Sequence, residues 1–175
     1  MSGEATRDLL VLRHAKSDRE APARSDRERP LAKRGRKEAR KVGEWLLAER
    51  LVPDGVLLSP ARRTEETLEL VLEGLGHPAL EVHRDERLYE AGLADLLAVL
   101  GASPPAPRRV LLVGHNPGLE VLVEHLLPSR PPRAADGKLL TTSALAHLRL
   151  PADWTALAAG TGRLVRLVRP EDREG

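Results

Sequence analysis

Three short apolar segments of this sequence each lead into residues with cationic or nucleophilic side chains. The segments and the residues that follow them are 9–12 with Arg13 and His14, 56–58 with Ser59 and Arg63, and 110–113 with His115 and Asn116. If these segments are strands of one α/β sheet, their carboxyl ends face the crevice where such folds bind ligands. Imidazole and guanidinium groups gathered there suit a doubly charged anion. The sequence therefore predicts a phosphate site at this edge.

The residue types at that edge favour covalent catalysis on His14. A neutral imidazole held through Nδ1 presents Nε2 as a nucleophile toward phosphorus. Arg13 and Arg63 each offer a planar pair of N–H donors to phosphoryl oxygens, and a protonated His115 would add another donor. Asn116 is also expected to bind substrate, because it stands at the expected start of a helix, whose amino end carries partial positive charge. A lone histidine would more commonly just close a strand, but three coincident strand ends favour a site.

The spacing of apolar residues predicts alternating strands and helices around that edge. Strands are expected at about 8–12, 55–58, 79–83, 110–113, 144–150 and 164–168, and helices at about 31–50, 62–74, 93–100 and 117–127. This alternation predicts a three-layer α/β/α fold with a mostly parallel central sheet of about six strands, ending in a hairpin-like pair. We expect one domain over residues 1–175, with a polar leader at 1–7 and a polar tail at 169–175.

Composition excludes several classes of function. The 175 residues contain no cysteine, which rules out disulfides and thiol chemistry, and aromatic residues make up only 2%. With a net charge of +2 and few stacking groups, nucleic-acid binding is not expected. No apolar run is long enough for a membrane span, so a cytoplasmic location is expected.

The basic run over residues 24–41 has interleaved glutamates typical of a solvated helix, and it would attract an acidic phosphoprotein or a phosphorylated metabolite. The oligomeric state stays open.

Four motifs together resemble the histidine phosphatase superfamily, whose fold is phosphoglycerate mutase-like. They are Arg13-His14-Ala15-Lys16-Ser17-Asp18, Arg29-Pro30-Leu31 with Arg34-Gly35, Ser59-Pro60 with Arg63 and Thr67, and Gly114-His115-Asn116-Pro117-Gly118. The similarity is greatest to small bacterial phosphohistidine phosphatases of the SixA type. It implies that His14 becomes phosphorylated and that Arg13, Arg63 and His115 form the phosphate pocket. It also selects Arg63 rather than Arg62 as the second arginine. No His-Glu-x-x-His motif or aspartate cluster suggests a metal, and no other cofactor is expected.

Two questions about the site stay open at this point. Lys16 and Ser17 either line the pocket and bind substrate or form the turn after the first strand. Larger members of the superfamily carry an acid that protonates the leaving group, and Glu90 is the candidate here, although a solvated loop glutamate is the commoner case.

The leaving group decides how much such an acid matters. Imidazole leaves far more easily than an alkoxide, so a weakly supported acid favours a phosphohistidine protein as substrate. The alternatives are a small phosphomonoester metabolite, with Glu90 as the acid, and a phosphate-binding module without catalysis.

Overall fold

The structure, a computed structural model, describes residues 3–174. Within these residues the chain forms six strands and four α-helices, together with three short 3₁₀ helices at Asp26–Glu28, Glu86–Leu88 and Pro170–Arg173. The strands are β1 Thr6–Arg13, β2 Gly55–Leu58, β3 Glu81–Arg84, β4 Arg109–Gly114, β5 Leu145–Pro151 and β6 Arg163–Val168. The helices are α1 Lys33–Ala48, α2 Arg62–Gly74, α3 Leu93–Ala102 and α4 Gly118–Leu126.

All six strands belong to one sheet, in the order β3-β2-β4-β1-β5-β6. Strands β3, β2, β4 and β1 run parallel to one another, whereas β5 is antiparallel to both β1 and β6. The structure thus confirms the predicted α/β/α class, the mostly parallel sheet and the antiparallel final pair.

Strand β1 is buried on both sides of the sheet because helices cover both faces. Leu9 and Val11 belong to the core cluster that α3 and α4 cover, and Leu10 and Leu12 to the cluster that α1 and α2 cover. All four side chains are fully buried. This two-sided burial explains why the strand reads as a continuous apolar run rather than as an alternating pattern.

Helices α1 and α2 cross at very short range because glycines lie at the contact. A Cβ atom on Gly43 would lie 2.0 Å from the carbonyl oxygen of Val71, and one on Gly74 would lie 2.2 Å from that of Arg40. This contact holds α2 firmly against α1. Leu47 of α1 is 50% exposed, although apolar spacing along this helix predicts it on the buried face.

The polar leader is shorter than predicted. Strand β1 already begins at Thr6, and the buried side chain of Arg7 donates hydrogen bonds to the carbonyls of Pro104 (3.0 Å) and Pro107 (2.9 Å). Arg7 therefore belongs to the folded part of the chain, because its guanidinium satisfies backbone groups of the loop before β4. Residues 1 and 2 of the predicted leader lie outside the described residues.

The predicted tail at 169–175 is also largely folded. Pro170–Arg173 forms a 3₁₀ helix, and Arg173 donates to the carbonyl of Ser143 at 2.7 Å. The charged composition of this segment suggested a solvated tail, but the side chains of Arg169 and Arg173 donate to backbone carbonyls. Residue 175 lies outside the described part. Among residues 3–174, no helix combines the length and apolar character that crossing a membrane requires.

Candidate active site

The order of the strands brings the three predicted segment ends together. Strand β4 lies between β1 and β2, with Arg13 opposite Gly114 in the pairing of β1 with β4. The rings of His14 and His115, the next residues along each strand, have centroids 5.4 Å apart. Ser59, just after β2, lies on the other side of His115, with Oγ 2.7 Å from Nε2. The two histidines therefore share one pocket.

His14 is held in one tautomer by its own backbone. Its Nδ1 lies 2.8 Å from the carbonyl oxygen of Ala15. A carbonyl can only accept, so Nδ1 carries the proton and Nε2 keeps a free lone pair. The side chain is only 7% exposed. Burial, reinforced by the charges of His115, Arg63 and Arg13, lowers the pKa of His14 to about 3. His14 is therefore a neutral nucleophile at physiological pH.

His115 is in the opposite tautomeric form to His14, with its proton on Nε2. Its Nδ1 lies 3.4 Å from Nη2 of Arg63, and because a guanidinium can only donate, Nδ1 accepts. The proton is then on Nε2, which donates to Oγ of Ser59. Burial, followed by the charge of Arg63, lowers the pKa of His115 to about 4. Without an anion, His115 is thus neutral, and the protonated form that the sequence analysis considered requires an added negative charge nearby.

Arg63 is buried, with 5% exposure, and both terminal nitrogens of its guanidinium donate hydrogen bonds. Nη1 donates to the backbone carbonyl of Asp26 at 2.8 Å, and Nη2 donates to the carboxylate of the same residue at 3.0 Å. On the backbone side, Thr67 Oγ1 donates to the Arg63 carbonyl (2.6 Å) and accepts the N–H of Ala15 (3.0 Å). Thr67 thus joins α2 to the loop that carries His14.

Asp26 is a site residue that the sequence analysis missed. Besides Arg63, its carboxylate accepts from the hydroxyl of Tyr89 at 2.7 Å and pairs with Arg29 at 3.2 Å. The Tyr89 hydrogen bond and the two guanidinium groups lower the pKa of Asp26, so it stays ionised. The Tyr89 ring in turn meets the His115 ring edge-on at 5.6 Å. No local signal distinguishes Asp26 from the other charges of its loop.

Arg13 and Asn116 are both tied to the loop that precedes β5. Nη1 of Arg13 donates to the carbonyl of Leu140 at 3.0 Å, and Nδ2 of Asn116 donates to the same carbonyl at 2.7 Å. Nδ2 of Asn116 also donates to the carboxylate of Glu120 at 3.0 Å, which uses both amide hydrogens. The geometry thus favours a positioning role for Asn116 over the direct substrate binding that the sequence predicted.

A cavity of about 460 Å³ opens over these groups, and its walls are strongly cationic. The predicted site residues on its wall are Arg13, His14, Lys16, Ser17, Arg63, His115 and Asn116. Lys16 is exposed, whereas Ser17 is buried and forms an isolated β-bridge with Leu31. Lys16 and Ser17 thus both line the cavity, and neither belongs to a turn after the first strand.

Glu90 is not on the wall of that cavity. It lies on a neighbouring cavity of about 530 Å³, which shares Arg63, His115 and Asn116 with the first. Glu90 is exposed and has a left-handed backbone, with φ of 53°. Glu90 therefore shares a cavity wall with His115 but not with His14. Among residues 3–174, no group of three His, Asp or Glu side chains is arranged to hold a metal ion.

The low pKa values of the two histidines lead to a direct prediction. We expect neither the His14 nor the His115 ring to titrate between about pH 8 and pH 5 in anion-free buffer, because burial and nearby cations oppose protonation. Inorganic phosphate should raise both pKa values, since a dianion favours the charged imidazoles. Ring C–H chemical shifts measured by NMR against pH would check this, with His14→Asn and His115→Asn for assignment. A midpoint near the ordinary value of about 6.5 for either ring would contradict it.

Comparison with known proteins agrees with the geometry of this pocket. Residues 9–98 match the sequence profile of the histidine phosphatase superfamily (branch 1). An uncharacterized protein of Mycobacterium tuberculosis is 33% identical over 158 residues, which cover 88% of this chain and 96% of that protein. Phosphohistidine phosphatase SixA of Escherichia coli K12 is 32% identical over 143 residues, or 81% of this chain and 84% of SixA.

Solved structures extend the similarity over almost the whole chain. A structure from Nakamurella multipartitia that carries the name SixA superposes with a TM-score of 0.80 and 27% identity, covering 96% of this chain and 99% of that one. The protein histidine phosphatase SixA complexed with tungstate gives a TM-score of 0.78 and 28% identity, covering 94% and 98%. With a profile match over more than half of its length and relatives that align nearly end to end, this chain belongs to the histidine phosphatase superfamily.

Proposed function

We propose that this phosphatase removes phosphoryl groups from phosphohistidine on proteins, through a covalent phosphohistidine on its own His14. The observation that carries the proposal is the free Nε2 lone pair of a buried, neutral His14 beside the guanidinium of Arg63 and the imidazole of His115. A neutral imidazole surrounded by N–H donors is suited to attack a phosphoryl dianion. The charge of the dianion would repel an anionic nucleophile, but it does not repel a neutral one.

The first step is transfer of the phosphoryl group. Arg13 and Arg63 hold the phosphoryl oxygens while Nε2 of His14 attacks phosphorus; the new N–P bond forms as the bond to the substrate imidazole breaks. That imidazole takes up a proton from solvent as it leaves, so it departs as a neutral ring. Phosphorylation puts positive charge on the His14 ring, and the Ala15 carbonyl that accepts from Nδ1 stabilises this charge. Water then attacks the phosphorus, releases inorganic phosphate and restores His14.

A phosphohistidine substrate agrees with the chemistry of the site. Its leaving group is an imidazole, which needs less assistance from an acid than an alcohol does. Among the relatives, the Escherichia coli protein bears the name phosphohistidine phosphatase, and a SixA structure binds tungstate, which is a tetrahedral oxyanion like phosphate. The name supports the proposed substrate class, and the tungstate complex supports a phosphoryl-binding site.

A second candidate function is hydrolysis of a small phosphomonoester metabolite. The observation in its favour is that Glu90 lines a cavity that shares Arg63 and His115 with the phosphate pocket. A carboxylic acid on that side could protonate an alkoxide leaving group.

The covalent intermediate can be captured directly. After brief exposure to a phosphohistidine peptide, we expect one phosphoryl group on His14 that survives a base quench and is lost in acid, because a phosphoramidate is acid-labile. Intact-mass and peptide mass spectrometry would locate it. His14→Asn should abolish both the label and turnover, whereas His77→Asn, an exposed histidine away from both cavities, should abolish neither. Binding of phosphate with no label on His14 would instead identify a non-catalytic phosphate-binding module.

Replacing Glu90 separates the two substrate classes. For a phosphohistidine substrate, we expect Glu90→Gln to change kcat by less than about threefold, because imidazole leaves without an acid. For an alkyl phosphate that depends on Glu90, kcat should fall by roughly 100-fold. Steady-state rates on a phosphohistidine peptide and on an alkyl phosphate would decide between them. A large loss on the peptide would contradict the proposed substrate class.

Asp26 should matter to activity although it does not bind the phosphoryl group in this mechanism. Asp26→Asn removes the charge that holds Arg63 and Tyr89, so we expect kcat/KM to fall about 10- to 100-fold through a misplaced guanidinium. The matched control is Glu28→Gln in the same 3₁₀ helix, which is exposed and should leave kcat/KM unchanged. Thermal melting of both variants separates this from unfolding. Equal activity of the two variants would show that Asp26 does not position Arg63.

A further inference from the structure

The cavity over His14 extends well beyond the phosphate pocket. Besides the four residues of that pocket, its wall carries five more cationic side chains. They are Lys16, Arg19, Arg29, Arg34 and Lys138. The carboxylates on the same wall are Asp136 and Glu171. The cavity wall outside the phosphate pocket therefore has an excess of positive charge.

Most of these extra cations already have an acidic partner. Arg29 pairs with Asp26, Arg34 with Glu38 at 2.7 Å, and Lys138 with Asp136 at 3.2 Å. Lys16 and Arg19 differ from them: within residues 3–174, neither forms an ion pair or donates a side-chain hydrogen bond. Two unpaired cations thus face the same cavity from the loop that follows His14.

The backbone that carries Lys16 and Arg19 is held in place. The carbonyl of Lys16 accepts the N–H of Ala32 at 2.9 Å, and a Cβ atom on Gly35 would lie only 2.1 Å from that carbonyl oxygen. The N–H of Asp18 donates to the carbonyl of Pro30 at 2.9 Å. The loop is therefore braced against the start of α1 on both sides of Ser17.

The one acidic residue between the two cations is already occupied. The carboxylate of Asp18 accepts the backbone N–H groups of Glu20 (2.9 Å) and Ala21 (3.2 Å). It closes the turn, as aspartate commonly does, and forms no ion pair with Lys16 or Arg19 within residues 3–174. Partial burial lowers the pKa of Arg13, and the charge of Arg19 lowers it further, so the two guanidinium groups repel each other. An anion between them would relieve that repulsion.

We propose that Lys16 and Arg19 bind a second anionic group, a carboxylate or a phosphate, carried by the leaving group of the substrate. The inference rests on the proposed function for the location of the phosphoryl group. The second anion comes either from acidic side chains beside the phosphohistidine of a protein or from a second acidic group on a small molecule. Both offer the oxygens that an ammonium and a guanidinium recognise.

Ligand binding tests the second-anion site without any turnover. The probes are alkylphosphonates and the corresponding phosphonates that carry a carboxylate two to four carbons from phosphorus, with Kd measured by calorimetry. We expect the carboxylate to strengthen binding at least threefold for one chain length, and this gain to disappear in Arg19→Gln and in the double variant Lys16→Gln/Arg19→Gln. The gain should also shrink as ionic strength rises.

Arg24→Gln is the matched control, because Arg24 lies in the same loop, is exposed and is not on the cavity wall. It should keep the full gain from the carboxylate, and melting curves should show that all variants fold. Equal Kd values for the paired phosphonates in the wild type, or an equal loss in Arg24→Gln and Arg19→Gln, would overturn the proposal.

The source of the second anion is decided by turnover. Two phosphohistidine peptides that differ only in flanking Glu or Gln residues represent the protein source, and phenyl phosphate with carboxyphenyl phosphate represents the small-molecule source. A preference for the acidic member that depends on Arg19 supports the second-anion site and identifies the source by the pair in which it occurs. If the wild type hydrolyses none of the four compounds, the proposed function fails, while the phosphonate Kd values still decide this inference.

Discussion

The parallel pairing of β1 with β4 carries the site, because it sets Arg13 opposite Gly114 and leaves the two following imidazoles 5.4 Å apart. The N–H of His14 continues the ladder by donating to the Gly114 carbonyl at 3.1 Å. Both strands are buried at the centre of the sheet. The backbone segments that carry the two imidazoles therefore cannot separate without breaking the well-protected hydrogen bonds between β1 and β4. A geometry this rigid suits a reaction in which a nucleophile and its electrostatic partners must already be in position.

Electrostatics complete what the pairing begins. The pocket collects two imidazoles and two guanidinium groups, and burial lowers the pKa of His14 and of His115 far enough to keep both neutral. Asp26 supplies the negative charge that holds Arg63 in this arrangement. The guanidinium groups therefore give the resting site a positive charge, which a phosphoryl dianion would balance.

Segments far apart in sequence support the backbone of the nucleophile. The N–H of Ser143 donates to the carbonyls of Arg13 and His14 at 3.2 Å, and Arg173 binds the Ser143 carbonyl from the last turn of the described chain. Burial lowers the pKa of Arg173 to about 10, which still leaves it charged at physiological pH. Residues near the end of the chain are thus structural parts of the wall behind His14, even though their composition is that of a solvated tail.

The sequence by itself determined the strands and helices, the α/β class and the histidines and arginines that end the strands. Hydrophobic periodicity, and a charged residue directly after an apolar run, can both be recognised within a short segment of sequence. Only the tertiary structure decided that β4 lies between β1 and β2, so that His115 meets both His14 and Ser59. It also decided that Asn116 donates one amide hydrogen to the loop before β5 and the other to Glu120 of α4, and that Asp26 holds Arg63. Such roles depend on which loops meet in space, and hydrogen bonds between distant loops leave no periodic trace in the chain.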